Sequence, residues 1–245
     1  MSVEVRRAGD RFVTPGDGVV SRHSFSFGPH YDPGNVGFGL LVVANDDVAS
    51  PGGGYPAHPH RDVEIVTWVL TGSLVHQDTA GHGGELVPGV VQRMSAGRGV
   101  RHSELASGGS GARFVQMWLP PTKPGVDPSY GQADVTATLA GGGLMPVVSG
   151  LGRHADAVAV GLGQEAAALH VARLRPGDVV TLPSAPFVHV YVARAEAAAA
   201  AVVDVESAGT LGEGDAVRFS DEGGRAVTAT GGAELLVWEM HAAAG

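Results

Sequence analysis

Four side chains in two short motifs have the types and the spacing needed to bind a metal ion. His58 and His60 are separated by one residue, and so are His102 and Glu104. In an extended backbone, residues two apart point to the same face, so each pair presents both of its side chains together. Three imidazoles and one carboxylate suit a first-row divalent metal ion, provided that the fold brings the two pairs into contact.

The donor set leaves the identity of the metal open. The chain has no cysteine, which excludes disulfides, thiolate ligands and a cysteine nucleophile. Imidazoles with one carboxylate suit Fe(II), Mn, Co, Ni, Cu(II) or Zn, and four protein ligands leave one or two positions for water, a substrate oxygen or O2. A closed structural zinc site more often uses thiolates. The pattern therefore favours an open metal site.

The other candidate residues give weaker signals. His76 follows a predicted strand and is interpreted as a solvated strand residue, although the rim of a barrel would also suit it. His23 and His30 are secondary candidates for a pocket. Asp46 and Asp47 are interpreted as a turn rather than as a carboxylate pair. The histidines interpreted as structural or surface residues are His82, His154, His170, His189 and His241.

Composition predicts a protein of many short strands. Of the 245 residues 44% are hydrophobic, which supports a core, while 38 glycines and 15 prolines imply many turns. The formal charge of −9 argues against nucleic-acid binding through a basic surface. The chain shows neither the apolar segment of a secretory signal nor an apolar run of roughly 18 residues, as a membrane helix needs. We expect a soluble, cytoplasmic monomer with no nucleic-acid or membrane partner.

Hydrophobic runs separated by turn residues indicate the strands that must position the two motifs. Residues 37–45 predict a buried strand that ends at the Asn-Asp-Asp turn. Residues 64–70 are β-branched and aromatic and predict a strand, which Thr-Gly-Ser would turn into a hairpin with residues 74–78. Residues 112–119 predict the last strand of this half. Residues 120–143, rich in Pro, Gly, Asp and Thr, are interpreted as a linker.

An internal repeat divides the chain into two similar halves. Residues 88–95 align with 213–220 at an offset of 125, and residues 68–74 align with 191–197 at an offset of 123. Because the two offsets agree to within a loop adjustment, the sequence predicts two copies of one all-β unit. The repeat also predicts a strand over residues 195–201, although the propensity of that stretch favours a helix.

The repeat assigns the chemistry to the first half of the chain. The positions that align with the four candidate ligands hold side chains that cannot replace an imidazole or a carboxylate. We therefore predict a metal-binding domain of residues 1–132 and a degenerate domain of residues 133–245 without metal ligands. The aligned positions are His58 with Thr181, His60 with Pro183, His102 with Val227 and Glu104 with Ala229.

The motifs resemble the two metal-binding motifs of the cupin superfamily, G-x5-H-x-H-x3,4-E-x6-G and P-x-G-x2-H-x3-N. The chain departs from them in three places: Gly72 comes one residue late, and Gly97 and Ala106 replace the proline and the asparagine of the second motif. The matching residues are Gly52, His58, His60, Glu64, Gly99 and His102.

A denser resemblance connects the chain with the pirin family, and especially with bacterial pirin-like quercetin 2,3-dioxygenases. It extends from about residue 20 to residue 131 and is weak afterwards. It implies a bicupin, an all-β fold of two tandem β-barrels of the jelly-roll type, with one metal in the N-terminal barrel. The segments that carry it are residues 24–27, 31–32, 37–39, 58–72, 92–104, 116–120 and 128–130.

The resemblance also implies a ligand set. The metal ligands of the family map onto His58, His60, His102 and Glu104, with Fe(II) as the first expectation and Cu, Mn, Co, Ni or Zn as alternatives. Glu64, the carboxylate ligand of a generic cupin, is not a ligand in this family. We interpret it as a buried, hydrogen-bonded structural carboxylate, or as a residue that supports the ligands.

The activity implied by the resemblance is dioxygenation of a flavonol such as quercetin at the 2,3 position, with release of carbon monoxide. The 3-hydroxyl of the flavonol would bind at the open position of the metal, and Glu104 would take its proton as the catalytic base. An alternative is a metal- or redox-responsive regulator that binds a protein partner without turnover. A third hypothesis is a cupin isomerase or another small-molecule enzyme.

Overall fold

A computed structural model describes residues 2–195, 202–221 and 223–244. Strands dominate these residues, and the predicted all-β bicupin fold is confirmed. Helical structure within these ranges comprises α1 (Thr136–Ala140) and two 3-10 turns, Ala8–Asp10 and Gly152–His154. No helix among them is long and apolar enough to cross a membrane. The strand predicted over residues 195–201 lies outside the described residues except for Ala195.

The strands of the first half are β1 (Ser2–Arg6), β2 (Phe12–Pro15), β3 (Val19–His23), β4 (Val43–Ala49), β5 (Gly54–His60), β6 (Glu64–Asp78), β7 (Gly83–Leu86), β8 (Val90–Ser95), β9 (Val100–Leu119) and β10 (Ser129–Asp134). The first barrel is built on the two long strands β6 and β9. β9 pairs with β5 through its first half and with β4 through its second half, so it runs through both walls of the barrel. The sheet has the order β10-β8-β6-β9-β4-β3-β2, with β5 beside β9 and β7 beside β6.

The strands of the second half are β11 (Met145–Ser149), β12 (Val160–Gly161), β13 (Ala167–Leu174), β14 (Val179–Thr181), β15 (Phe187–Ala195), β16 (Val203–Val205), β17 (Gly209–Leu211), β18 (Ala216–Ser220), β19 (Ala226–Ala229) and β20 (Ala233–Met240). They form the second barrel from two sheets, with the orders β1-β18-β15-β20-β13-β11-β12 and β14-β19-β16-β17.

The strand register confirms the internal repeat. The order β8-β6-β9-β4 in the first sheet is repeated as β18-β15-β20-β13 in the second. Trp68 pairs with Val91, and the offsets of 123 and 125 carry this pair onto Tyr191 and Ala216, which are also partners. β1 nevertheless pairs with β18, so residues 2–6 lie in the sheet of the second half. The domain boundary at residue 132 stays a prediction.

The hairpin predicted at Gly72 is wrong, because β6 continues through this residue as a single strand. The register of β6 against β9 shifts between Val69 and Thr71 and again between Gly72 and Ser73. Gly72 has φ +71°, and a Cβ atom there would collide with the carbonyl oxygen of Gly111. Such a bulge changes which face of the strand the following side chains occupy.

Two other segments predicted as irregular belong to regular structure. Asp46 and Asp47, predicted as a turn, are buried within β4, and the strand predicted before them begins only at Val43. Asp46 accepts hydrogen bonds from Arg113 and from the hydroxyl of Tyr191 in the second half. The predicted linker contains β10, which pairs with β8, and α1. Part of the predicted linker therefore belongs to the sheet of the first half.

The interiors of the two barrels differ in polarity. An apolar core that contains Trp68 and Trp238 fills the interface between the halves, and apolar side chains also fill the second barrel. Val227 and Ala229, which align with the candidate ligands, are buried in that second core. The interior of the first barrel contains buried polar groups that need hydrogen-bond partners, Glu104 among them.

Candidate metal centre

Strand pairing brings the two predicted motifs together. In the antiparallel pair of β5 and β9, His58 is the direct partner of His102. Alternation places His60 on the same face as His58. The ring centroids of His58 and His60 and those of His58 and His102 lie 4.6 Å apart, while those of His60 and His102 lie 4.9 Å apart. One nitrogen from each of the three rings lies within 4.8 Å of the other two.

The free nitrogen atoms of these rings fit a shared metal ion. Nδ1 of His58 donates to the carbonyl oxygen of Pro56 at 2.8 Å, which leaves a lone pair on Nε2. Nε2 of His60 lies 2.8 Å from that atom. Nε2 of His102 is buried without a hydrogen-bond partner in the described part of the chain. Nitrogen atoms bound to one ion are ~3 Å apart, so this arrangement suits a cation with several imidazole ligands.

Burial keeps two of these imidazoles neutral. Burial, together with charge repulsion from the neighbouring His58 and His60, lowers the pKa of His102 to about 3. Burial, with His58 as the second cause, lowers the pKa of His60 to about 4. Because a neutral imidazole offers a lone pair to a metal and an imidazolium does not, these environments favour a bound cation near pH 7.

His76 belongs to the site, and its interpretation as a solvated residue is wrong. It is 0% exposed and lies opposite Glu104 in the pairing of β6 with β9. Its Nε2 lies 3.5 Å from Oδ2 of Asp78, and its Nδ1 lies 3.4 Å from Nδ1 of His102. Asp78 accepts the Nε2 proton, so Nδ1 of His76 accepts the proton of His102. This series of hydrogen bonds leaves Nε2 of His102 free for a ligand.

Glu104 lies beside the histidine cluster but does not belong to the group of ligand atoms formed by His58, His60 and His102. Its ligand atom groups with those of His76 and His102, all within 4.8 Å of one another. Glu104 is 0% exposed, and burial raises its pKa to about 7 although three side chains donate hydrogen bonds to it. Its role as the fourth metal ligand stays a prediction.

Three polar side chains that the sequence did not single out hold Glu104. Thr67 Oγ1 and Gln92 Nε2 donate to its Oε1 at 3.0 and 3.2 Å, and Gln116 Nε2 donates to its Oε2. Trp118 Nε1 donates to Oε1 of Gln116 at 2.9 Å, and the Tyr130 hydroxyl donates to Oε1 of Gln92 at 3.1 Å. These outer bonds turn both amide NH2 groups toward Glu104. The one sequence signal that could have identified Thr67, Gln92 and Gln116 is that they are polar residues within otherwise apolar strands.

Glu64 lies outside both groups of ligand atoms. Its Oε2 accepts hydrogen bonds from Ser95 Oγ at 2.7 Å and from the backbone N–H of Gly163 at 2.9 Å. Because Gly163 belongs to the second half, this buried carboxylate connects the two barrels. The geometry supports its interpretation as a structural carboxylate.

His60, one of the three clustered histidines, lines a depression of about 480 Å³, a volume in the range of pockets that hold drug-sized ligands. The ring of Trp118 stands edge-on to His60 at 4.9 Å, and Phe27 stands edge-on to Trp118 at 5.6 Å. The cluster therefore has an aromatic wall beside it. The residues that line the depression are Pro59, His60, Arg61, Thr79, Gly99, Val100 and Arg101.

Comparison with known proteins identifies the family. The chain is 50% identical over 246 residues to a Mycobacterium tuberculosis protein provisionally named quercetin 2,3-dioxygenase, and the match covers 100% of this chain and 97% of that protein. The profile of the pirin family matches residues 5–119. The chain belongs to the pirin family. A relative from Escherichia coli K12 named quercetin 2,3-dioxygenase is 41% identical over 131 residues, which are 53% of this chain and 57% of that protein.

Solved structures of bacterial pirins have the same fold. The crystal structure of YhhW from Escherichia coli superposes with a TM-score of 0.87 at 29% identity and covers 100% of both chains. A second structure describes YhhW as a bacterial pirin in complex with nickel(II), with a TM-score of 0.86 at 28% identity over 98% of this chain and 100% of the other. A pirin of this fold thus binds a divalent metal, and this pirin has a histidine cluster that could hold one.

Proposed function

We propose that this pirin is a metal-dependent dioxygenase that cleaves flavonols such as quercetin at the 2,3 position. The observation that carries the proposal is the convergence of three imidazoles, those of His58, His60 and His102, beside the buried carboxyl group of Glu104. The names of its relatives support the substrate class. In the overall reaction one flavonol and one O2 give one depside and one carbon monoxide.

The residues that would hold the metal are the three histidines, through their Nε2 atoms, with Glu104 as the predicted fourth ligand. Fe(II) is the first candidate, and the donor set also suits Ni, Cu, Mn, Co or Zn. When bound, the ion supplies Lewis acidity and a point where flavonol and O2 meet.

Glu104 accepts the proton of the flavonol 3-hydroxyl in this proposal. Three donors from β6, β8 and β9 fix its carboxylate, so it does not need to reorient during proton transfer. The Thr67 hydroxyl can rotate from donor to acceptor. It can therefore accept a hydrogen bond from Glu104 once the carboxyl group is protonated, while the two amides cannot.

The aromatic wall and the apolar surroundings position the substrate. Trp118 lies beside His60 and offers an edge to a planar ring. Ile65, Met94 and Val100 form a buried apolar cluster near the imidazoles, with Trp118 packed against it. Apolar walls keep bulk water from reactive intermediates, which the cleavage of a ring by O2 requires.

The test is turnover by protein that has been loaded with a defined metal. Fe(II), Ni(II) and Cu(II) are added anaerobically to separate samples, and quercetin and oxygenated buffer follow. We expect loss of the flavonol absorbance together with uptake of one O2 and release of one carbon monoxide per quercetin. A protein that binds metal stoichiometrically but consumes no quercetin with any of these ions contradicts the proposal and favours the regulatory alternative.

A further inference from the structure

A second cavity, of about 160 Å³, lies between the N-terminal segment and the second barrel. Its walls come from residues 6–12, from β3 and the loop that follows it, and from β15 and β18. It shares no lining residue with the depression at His60. Four arginines line it, namely Arg6, Arg7, Arg11 and Arg218.

Buried polar atoms without partners concentrate in the walls of this cavity. Both ring nitrogens of His189, a residue that is 2% exposed, have no hydrogen-bond partner within the described residues. The same holds for the Nε atoms of Arg6, Arg11 and Arg218. Buried polar atoms are nearly always hydrogen-bonded in folded proteins, so five such atoms around one cavity indicate a missing partner.

The other atoms of these arginines are bound in ways that fix the guanidinium groups. Nη2 of Arg218 donates to Oδ1 of Asn35 at 2.9 Å, and the guanidinium lies 4.5 Å from the ring of Phe25. Nη1 of Arg11 donates to the Tyr191 hydroxyl at 2.8 Å. The side chains are therefore held in place before any ligand binds, which lowers the entropic cost of binding.

Carboxylates compensate the charge of these arginines only in part. Within the described ranges, Arg6 and Arg218 share one carboxylate, that of Glu4. Arg11 lies 4.0 Å from Oδ2 of Asp46, a group that Arg113 already binds through two hydrogen bonds.

The remaining charges at the cavity lie at its edges. Arg7 has its own partner in Asp215, at 2.7 Å. Asp10 and Asp32 also line the cavity, but both are exposed to solvent, which screens their charge. The buried part of the cavity therefore retains positive charge.

We propose that this cavity is a binding site for a small oxyanion, such as phosphate or a short carboxylate. Guanidinium N–H groups bind the oxygens of either anion, and His189 adds an N–H in either of its neutral tautomers. The volume is far larger than one water needs and smaller than the pockets that hold drug-sized ligands. The site is therefore distinct from the proposed flavonol site and does not depend on turnover.

The test measures the melting temperature of the full chain while sodium phosphate, malonate or acetate replaces sodium chloride at constant ionic strength. We expect a saturable rise in the millimolar range with at least one of these anions, because a ligand that binds only the native state raises its melting temperature. The His189→Phe variant is expected to lose this rise. The Arg6→Gln variant is expected to bind roughly tenfold more weakly, as loss of one hydrogen bond to a charged group implies.

Two features make the test decisive. The imidazole ring of His189 makes no hydrogen bond within the described residues, so His189→Phe is expected to melt in chloride at or above the temperature of the wild type. Arg22→Gln is the matched control, because Arg22 is exposed on β3 beside the cavity without lining it, and this variant should keep the full response. Binding of phosphate but not of the carboxylates, or the reverse, identifies the anion. Two results would overturn the proposal and indicate a cavity that holds only water. One is the absence of a saturable rise in the wild type, and the other is a rise in His189→Phe and Arg6→Gln equal to that of the wild type.

Discussion

The three imidazoles at the mouth of the first barrel are held by different supports. A backbone carbonyl, that of Pro56, fixes His58, whereas His102 depends on His76 and through it on Asp78. Loss of a residue that orients a metal ligand typically lowers the affinity for the metal by about 10- to 100-fold. His76 and Asp78 are therefore as much part of the candidate site as the histidines that the sequence identified.

Replacement of Glu104 tests its role as the base. Glu104→Gln keeps the size of the side chain and removes its capacity to accept a proton. We expect this variant to retain part of the metal and to lose at least ~100-fold in kcat for quercetin, the range typical of a lost general base.

Glu64→Gln is the matched control for this substitution. It changes a carboxylate that is buried in the same barrel and hydrogen-bonded to Ser95 and Gly163. The turnover of this variant per bound metal is expected to stay near that of the wild type. Unchanged turnover in metal-loaded Glu104→Gln would remove Glu104 from the proposed mechanism.

His76→Phe tests the support of His102. The substitution removes the acceptor for Nδ1 of His102, so we expect the affinity for the metal to fall by about 10- to 100-fold. Competition with a chelator of known affinity measures the change. His82→Ala removes another imidazole in contact with Asp78, one that does not touch His102, and should alter the affinity little. Equal affinities of His76→Phe and the wild type would show that His76 does not support the site.

At the scale of the strand, the bulge in β6 explains why the sequence missed His76. Thr67 and His76 both serve the interior of the first barrel, although one position is odd and the other even. Strict alternation would place them on opposite faces. The register shifts around Gly72 bring both side chains to the same face of β6. No local feature of the sequence distinguishes such a bulge from a hairpin turn.

Gly72→Ala tests the bulge directly. The positive φ and the contact with the Gly111 carbonyl leave no room for a Cβ atom. We expect the free energy of unfolding, measured in urea, to fall by about 2 kcal/mol or more. Gly109→Ala in β9 is the control, since a Cβ atom there meets nothing within 4 Å, and it should change stability little. A fully stable Gly72→Ala variant would contradict this account of the strand.

Strands β13 and β20 of the second barrel share a carboxylate that makes stability depend on pH. Burial alone would raise the pKa of Glu239, but hydrogen bonds from His170, Arg153 and His241 lower it from 4.5 to about 2. A lowered carboxyl pKa contributes stability that is present above pH 4.5 and is lost as the pH falls toward 2.

Glu239→Gln is therefore expected to be less stable than the wild type at pH 7 and to lose less further stability between pH 4.5 and pH 2. Urea unfolding at a series of pH values measures both effects. Glu165→Gln, at an exposed position, should follow the wild-type curve. An acid slope in Glu239→Gln equal to that of the wild type would exclude this carboxylate as the cause.

For the molecule as a whole, the sequence predicted the architecture better than it predicted the contacts. The repeat predicted two similar all-β halves, and the resemblance to the pirin family implied that each half is a β-barrel. The buried pair Asp46 and Asp47, the hydrogen bonds around Glu104 and the pairing of β1 with β18 depend on residues far apart in the chain. Contacts of this kind cannot be predicted from the local pattern of the sequence.

The difference between the two interiors explains why a metal is expected in the first barrel alone. The two halves share their strand order, but apolar side chains fill the second interior, whereas buried polar groups line the first. The cavity lined by four arginines lies where the N-terminal segment meets the second barrel. Each proposed site thus occupies a place where the interior is not closed by apolar packing.

The most direct test of the metal centre is the metal content of the full chain, purified without added metal and analysed by mass spectrometry. We expect about one divalent transition-metal ion per chain in the wild type and a loss of most of it in His58→Ala and in His102→Ala, because each removes one converging ligand. His154→Ala, in the second half, should keep the wild-type content. Equal metal content in all four proteins, or none in the wild type even after incubation with Fe(II), Ni(II) or Cu(II), would contradict the assignment of these histidines.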